Sequence, residues 1–227
     1  MVANLFIVYK GEICRFMTDF VQKRCSMPHK TYISYRYRDA IDLRDCILKK
    51  LGAFALCYRG ERGDSPEMMD SRTEAIRDKV ASMIDDAAVM VVIVSRHMLM
   101  SRWMEWEIAY ALGSRLLGGR EGRVHGIVCV VKKDDDFMFS REFGTFSYDK
   151  YAWAKYNGDW ANGKLFDSVK YNRNNRVTWS PDLSPHYIDV VTEEEFLSQP
   201  AKYIDEAYNK SRRLGYYRIF AQGTYEF

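Results

Sequence analysis

The 227-residue chain has no Cys-x-x-Cys pair, and its four histidines, His29, His97, His125 and His186, stand far apart with no cysteine at a metal-ligand spacing. A zinc centre is therefore not expected, and the expected metal content is none. Its five cysteines (Cys14, Cys25, Cys46, Cys57 and Cys129) are odd in number and fall mostly in apolar segments. Free thiols in such places behave as small hydrophobes, so the chain reads as a protein of a reducing, cytoplasmic setting without a disulfide framework. It also lacks any apolar run of the ~18 residues that a bilayer span requires. Val2–Tyr9 is apolar but has no basic leader and is followed at once by Lys10, Gly11 and Glu12, a poor signal peptide. A strong charge is missing too: 34 basic against 31 acidic residues leave +3, too little to specify nucleic acid or a membrane surface as partner. Three nucleotide or acyl-transfer signatures are absent: a G-x-G-x-x-G after the first strand, a G-x-x-x-x-G-K-[ST] loop and a G-x-S-x-G elbow. Dehydrogenase and P-loop readings lose their support with them, and Gly118, Gly119 and Gly122 are left as a turn.

What is present is an alternation of strand and helix. Thr31–Tyr35 is β-branched and aromatic and opens a strand. The basic cluster Arg36, Arg38 and Arg44 crowds its exit, whereas Lys210, Arg212 and Arg213 read as a solvated helix end. Asp39 is the expected N-cap of a helix whose Ala40, Leu43, Ile47 and Leu51 recur at three- and four-residue steps before Gly52 stops it. Phe54–Tyr58 is a second strand, followed by a polar loop over 59–66 with two glycines and a proline. Ile76, Val80, Met83 and Ile84 mark the next helix, which closes at Asp85 and Asp86. Ala88–Ser95 has the unbroken apolar character of a central parallel strand covered on both faces, and Val124–Val131 supplies a fourth. This order predicts an α/β fold, a doubly wound parallel sheet whose ligands gather at the carboxyl ends of its strands. Arg36, the 59–66 loop, Ser95 and the start of the helix at Trp103 all fall at that edge.

That helix, Ser101 to Leu112, carries two carboxylates among aromatic residues. Met104, Ile108, Ala111 and Leu112 share one stripe and face a core. Glu107 lies at the border of the stripe, with Trp103 and Tyr110 or Ala111 one turn away, and Glu105 lies at the opposite border. A carboxylate at a strand edge beside aromatic rings invites a functional reading. Beyond Lys133, aromatic residues punctuated by Asn and Gly (Tyr148, Tyr151, Trp153, Tyr156, Trp160, Phe166, Tyr171, Trp179) imply burial, either to dock this segment on the sheet or to roof a nucleotide cleft or form an oligomer surface. A final helix runs from Thr192 to about Arg213, opens on Glu193, Glu194 and Glu195, and is kinked or split at Pro200.

Thr31-Tyr-Ile-Ser-Tyr-Arg36, the Val-rich strand ending at Ser95, and Ser101-x-Trp103-x-x-x-Glu107-Ile108 together resemble a TIR domain. The form running from Trp103 to Leu112 is similar to bacterial TIR-like proteins, including the NAD-consuming TIR component of Thoeris antiphage systems. The resemblance covers about residues 30 to 132. It implies a flavodoxin-like sheet of about five parallel strands. It also implies that Glu107, four residues after a tryptophan, is the catalytic glutamate, that Tyr35 and Arg36 after the first strand contact the nucleotide, and that the 59–66 loop gates the site and mediates assembly. That loop departs from the pattern of eukaryotic signalling members, so their adaptor partners are not carried over. The expected organisation is an N-terminal arm over 1–29, in which Met27 could itself be a start, a TIR-like domain over 30–133, and a C-terminal extension over 134–227 packed on it.

The expected activity is that of an NAD+ glycohydrolase or ADP-ribosyl cyclase, with catalytic Glu107 and substrate-binding Ser34, Tyr35, Arg36, Ser95 and Trp103. NAD+ is the substrate and no cofactor is expected. Ordinary glycosidases need two carboxylates because an alkoxide must be protonated as it leaves. Nicotinamide departs from NAD+ as a neutral molecule, so one carboxylate suffices. Expected partners are a downstream effector that senses the nucleotide product, a phage trigger protein, and further copies of the chain on activation. Each residue also has a plain structural use: Trp103 in the core, Tyr35 capping the sheet, Arg36 paired with Asp39. The alternatives are a non-catalytic TIR-like interaction module and a nucleoside-processing enzyme on the same topology.

Overall fold

A computed structural model describes residues 29–56, 72–113, 123–133 and 165–221. Five strands form one parallel sheet in the order β2-β1-β3-β4-β5. They are β1 (Thr31–Ser34), β2 (Ala55–Leu56), β3 (Val89–Val94), β4 (Gly126–Val131) and β5 (Asp189–Thr192). The register runs Thr31 with Val89, Val89 with Gly126, and Val128 with Asp189. This is the flavodoxin-like α/β arrangement the sequence implied. The 59–66 loop, nearly all of the N-terminal arm and the aromatic residues from Tyr148 to Trp160 lie outside the described residues.

The strand alternation sorts the core into two layers. Tyr32, Met90, Val92, Val94, Ile127, Cys129 and Val131 turn to one face, where they meet α2 (Arg72–Asp86) through Val80 and Ile84 and α3 (Arg102–Ala111) through Met104, Trp106 and Ile108. Ile33, Val89, Val91, Ile93, Val128 and Val130 turn to the other, where α1 (Tyr37–Leu51) contributes Ala40, Leu43 and Ile47. The period of two in the strands and of 3.6 in the helices produces this sorting. Burying each large aliphatic side chain contributes about 1.5–3 kcal/mol. β3 and β4, covered on both sides, are buried along their whole length, as unbroken apolar runs require.

Local chemistry sets the helix ends. α1 stops at Gly52, whose φ of 57° suits a residue without a Cβ and lets its N–H reach the Leu48 carbonyl. Its start differs from expectation. The N-cap is Arg36, not Asp39, because β1 ends at Ser34 and only two residues separate strand from helix. Asp39 therefore lies in the first turn, and its carboxylate is free for other partners.

The segment after 133 does more than pack on the domain. Its described residues supply β5, which pairs with β4, and the helices α4 (Asp167–Lys170), α5 (Glu193–Ser198) and α6 (Pro200–Ser211). The single final helix of the sequence reading is split in two at Gln199 and Pro200. A capping box between Thr192 and Glu195 starts α5 directly from the end of β5. α6 lies so close to β4 that a Cβ added at Gly126 would meet the Ala207 carbonyl oxygen at 2.2 Å. Phe196, Ile204 and Ala207 complete the second core layer. Of the aromatic residues singled out in the sequence of this segment, Phe166, Tyr171 and Trp179 are described, and Phe166 is buried, as docking requires. Tyr171 and Trp179 are not. Tyr171 caps the short α4 and packs on Phe220 at the surface, and Trp179 is 76% exposed.

Candidate active site

In the order β2-β1-β3-β4-β5 the chain runs outward from β1 to β2 and then crosses back to β3. The crevice beyond the carboxyl ends of β1 and β3 is therefore the topological switch point, where open α/β sheets bind ligands. Ser34 ends β1, and Ser95 follows β3 directly. α3 and α1 cover opposite faces of the sheet, so the side chains they send toward this edge flank it from two sides.

From α3 comes Glu107, only 7% exposed. The helix starts at Ser101, whose hydroxyl accepts from the Met104 N–H at 3.4 Å, and buries Met104, Ile108 and Ala111. That rotation drives Glu107 inward onto β1 instead of leaving it at the border of the stripe. The Tyr32 hydroxyl donates to Oε1 at 2.6 Å, and the Ser34 hydroxyl donates to Oε2 at 2.5 Å. Both donors lie on one face of β1 because they are two residues apart. Burial pushes the Glu107 carboxyl up to about 7, against the opposing pull of the hydrogen bonds from Ser34 and Tyr32. A carboxyl that titrates near neutrality beside a ligand crevice suits proton transfer or the stabilisation of a developing positive charge.

From α1 comes Asp39, in a different environment. Arg36 Nη1 pairs with its Oδ1 at 2.9 Å, and the backbone N–H of His97 donates to Oδ2 at 3.1 Å. Lys132, just past β4, donates to the Asp39 carbonyl at 2.8 Å and pairs with Asp42 at 3.0 Å. Burial pushes Asp39 upward, but hydrogen bonds from Arg36 and the His97 backbone, with the Ser95 hydroxyl nearby, outweigh it and hold the carboxyl below its ordinary range. Asp39 thereby ties the exit of β1 to the exit of β3.

The residues singled out in the sequence thus fall into three groups. Ser34 and Glu107 are brought into direct contact. Arg36 and Ser95 are both buried and gather around Asp39. Tyr35 and Trp103 are placed elsewhere. Tyr35, one residue beyond Ser34, packs against the core layer on the α1 side, where Arg44 donates to its hydroxyl at 2.9 Å and lies over its ring at 4.9 Å. Trp103 stands edge-on to Trp106, with ring centroids 6.0 Å apart, and Trp106 stacks on Tyr110 at 5.4 Å, so these rings form a ladder along α3. Glu105 is half-buried, and burial, with Asp167 nearby, raises its carboxyl. Tyr32 was missed in the sequence. The signal was there, since it shares the face of Ser34 and a buried phenol needs a partner. Among the described residues no three His, Cys, Asp or Glu side chains are grouped to hold a metal ion, and no helix is long and apolar enough to cross a membrane.

The five-stranded, flavodoxin-like parallel sheet is an α/β fold of the TIR type. Residues 32–134 match the family model described as Thoeris protein ThsB, TIR-like domain. That stretch, a little under half of the chain, is similar to a Thoeris TIR-like domain. No curated protein and no solved structure matches it.

Proposed function

We propose that this domain cleaves the nicotinamide–ribose bond of NAD+ in antiphage defence, releasing nicotinamide and an ADP-ribose product, cyclic or linear, that a separate effector senses. The observation that carries this reading is Glu107: a buried carboxyl beside the switch-point crevice, poised near neutrality, with each oxygen held by a hydroxyl.

The chemistry fits a single carboxylate. As the bond from the ribose carbon to the pyridinium nitrogen breaks, its electron pair returns to the ring and nicotinamide leaves neutral, so no acid is needed. Positive charge grows on the ribose, and ionised Glu107 in a water-poor setting is preorganised to stabilise it. Water that captures the ribosyl cation gives ADP-ribose and releases one proton. Capture by a nucleophilic atom of the same molecule closes a ring instead. Ionised Glu107 is the working form, so cleavage rises with pH through about 7. Arg36 and Lys132 lie at the same edge as cations for the diphosphate, each already braced by an aspartate.

A second reading, a non-catalytic interaction module, has one observation in its favour. Both Glu107 oxygens are satisfied from within the fold, as a structural carboxyl would require. The energetics weigh against it, because burying an ionisable group there opposes stability, and a glutamine would fill the same volume without that cost. Incubating the purified chain with NAD+ and following nicotinamide release, with Glu107→Gln beside it, separates the two. Release by the parent and its loss in the variant is the expected outcome. No release under any oligomerising or phage-triggered condition would sink the enzyme reading, and activity retained by the variant would sink the assignment to Glu107.

A further inference from the structure

The two hydroxyls that hold Glu107 are not equivalent. Tyr32 is the second residue of β1 and 1% exposed, and its ring is part of the core layer that contains Met90, Met104 and Ile108. Turning its phenol away from Oε1 would mean moving a close-packed ring. Ser34 is equally buried at 1%, but it is the last residue of the strand, and its hydroxyl is a small rotor on a single bond. One carboxylate oxygen is therefore fixed from below, and the other is held by a group that can rotate off it.

We propose that Tyr32 is a positioning residue for Glu107. Its phenol pins Oε1 and with it the plane of the carboxylate, and this leaves Oε2 as the oxygen that exchanges the Ser34 hydroxyl for a hydroxyl of the bound ligand. No bond is made or broken in this exchange; one O–H donor replaces another. The division of labour explains how a carboxylate so fully enclosed serves a ligand without the helix having to move. It rests on the reading of Glu107 as the catalytic group.

Two variants separate the roles. Tyr32→Phe removes the pinning donor and keeps the ring that fills the core; Ser34→Ala removes the exchanging one. The protein is labelled with 13C at glutamate carboxyls, the Glu107 signal is identified by its loss in Glu107→Gln, and its titration is followed by NMR alongside kcat and KM for nicotinamide release. The groups that set this titration are burial, then Ser34, then Tyr32. Removing Tyr32's hydrogen bond should raise the Glu107 midpoint by about one pH unit, what one bond to a charged group commonly supplies. It should also lower kcat about tenfold with KM within about twofold, because Oε1 does not meet the ligand. Ser34→Ala should raise the midpoint as well but should alter KM. A midpoint unmoved in Tyr32→Phe would overturn the proposal, as would a change confined to KM. Were the parent chain to release no nicotinamide, the functional reading would fall, while the NMR titration would still decide whether Tyr32 holds the carboxylate.

Discussion

Two carboxylates reach the same edge of the sheet and are treated in opposite ways. Asp39 is surrounded by an arginine, a serine and a backbone N–H, and its carboxyl is held below the ordinary range. Glu107 meets two uncharged hydroxyls and an apolar wall, and burial pushes it up to about 7. Asp39 is thus a fixed negative charge that braces the exits of β1 and β3, while Glu107 can change its state near neutral pH. Pairs of acidic groups driven apart in this way mark a division of roles within one site. The difference arises from the side of the sheet each comes from. α1 starts in the basic cluster that follows β1, and α3 turns its buried face onto the side of β1 that carries only hydroxyls.

The comparison can be broken most directly by exchanging the two acids for their amides. Glu107→Gln should lower nicotinamide release on the order of a thousandfold, the loss typical of removing a preorganised stabiliser of transition-state charge. Asp39→Asn should lower it by about tenfold or less and leave the rise of activity with pH where it was. The reverse ranking in parallel assays would exchange their roles. The next largest effect concerns stability. Glu107 has a folded value of about 7 against an ordinary 4.5, so between these limits the folded state binds the proton more tightly and this group's contribution falls as pH rises. The cost of ionising it, fully present above about pH 7, is on the order of 3 kcal/mol. Urea unfolding of parent and Glu107→Gln should therefore diverge as pH rises from about 4.5 to 7, with the variant gaining. His125 and His186 act in the opposite sense. Burial holds them down to about 4 and about 3, so their contribution is lost as pH falls below the ordinary histidine value of 6.5. Parallel unfolding curves for the two proteins would show that Glu107 carries no such cost. The smallest effect sharpens the comparison at the helix ends: α3 has a side-chain cap in Ser101, whereas α1 has none at Arg36. Ser101→Ala should lower stability by about 1 kcal/mol in urea unfolding and loosen the turn that leads to Glu107.

Much of the fold could be read from residue pattern. β3 and β4 are continuous apolar runs, and the stripes of α1, α2 and α3 turn to the core where the periodicity put them, with Leu51, Ile76 and Met83 only partly buried. β5 was not recognised. Asp189–Thr192 is only four residues long, only Val191 in it is fully buried, and it passes into α5 without a turn, so its Val-Val-Thr signal merged with the helix cap that follows. The Glu107–Ser34 pair was legible because a motif in α3 and a strand end were both placed at one edge. Tyr32 was hidden because an aromatic residue in a strand looks like core, and here it is core with a polar tip. Tyr35 lies on the other side of the same alternation. Its neighbour Ser34 points at Glu107, and the alternation that brings Ser34 there turns Tyr35 toward Arg44.

The missing Cβ at Gly126 bears on how much chain makes one folding unit. With the Ala207 carbonyl 2.2 Å from where that atom would stand, the backbone of α6 rests directly on β4, with no side chain between them to cushion a change. The stretch that carries the family signature ends at 134, yet the surface it leaves bare is closed by residues some seventy positions further on. A fragment cut at the signature's boundary would expose an unpaired β4 edge and an uncovered apolar layer, the combination that favours aggregation. The matched stretch is shorter than the packed unit it belongs to, and α6 rests against a glycine it never borders in sequence.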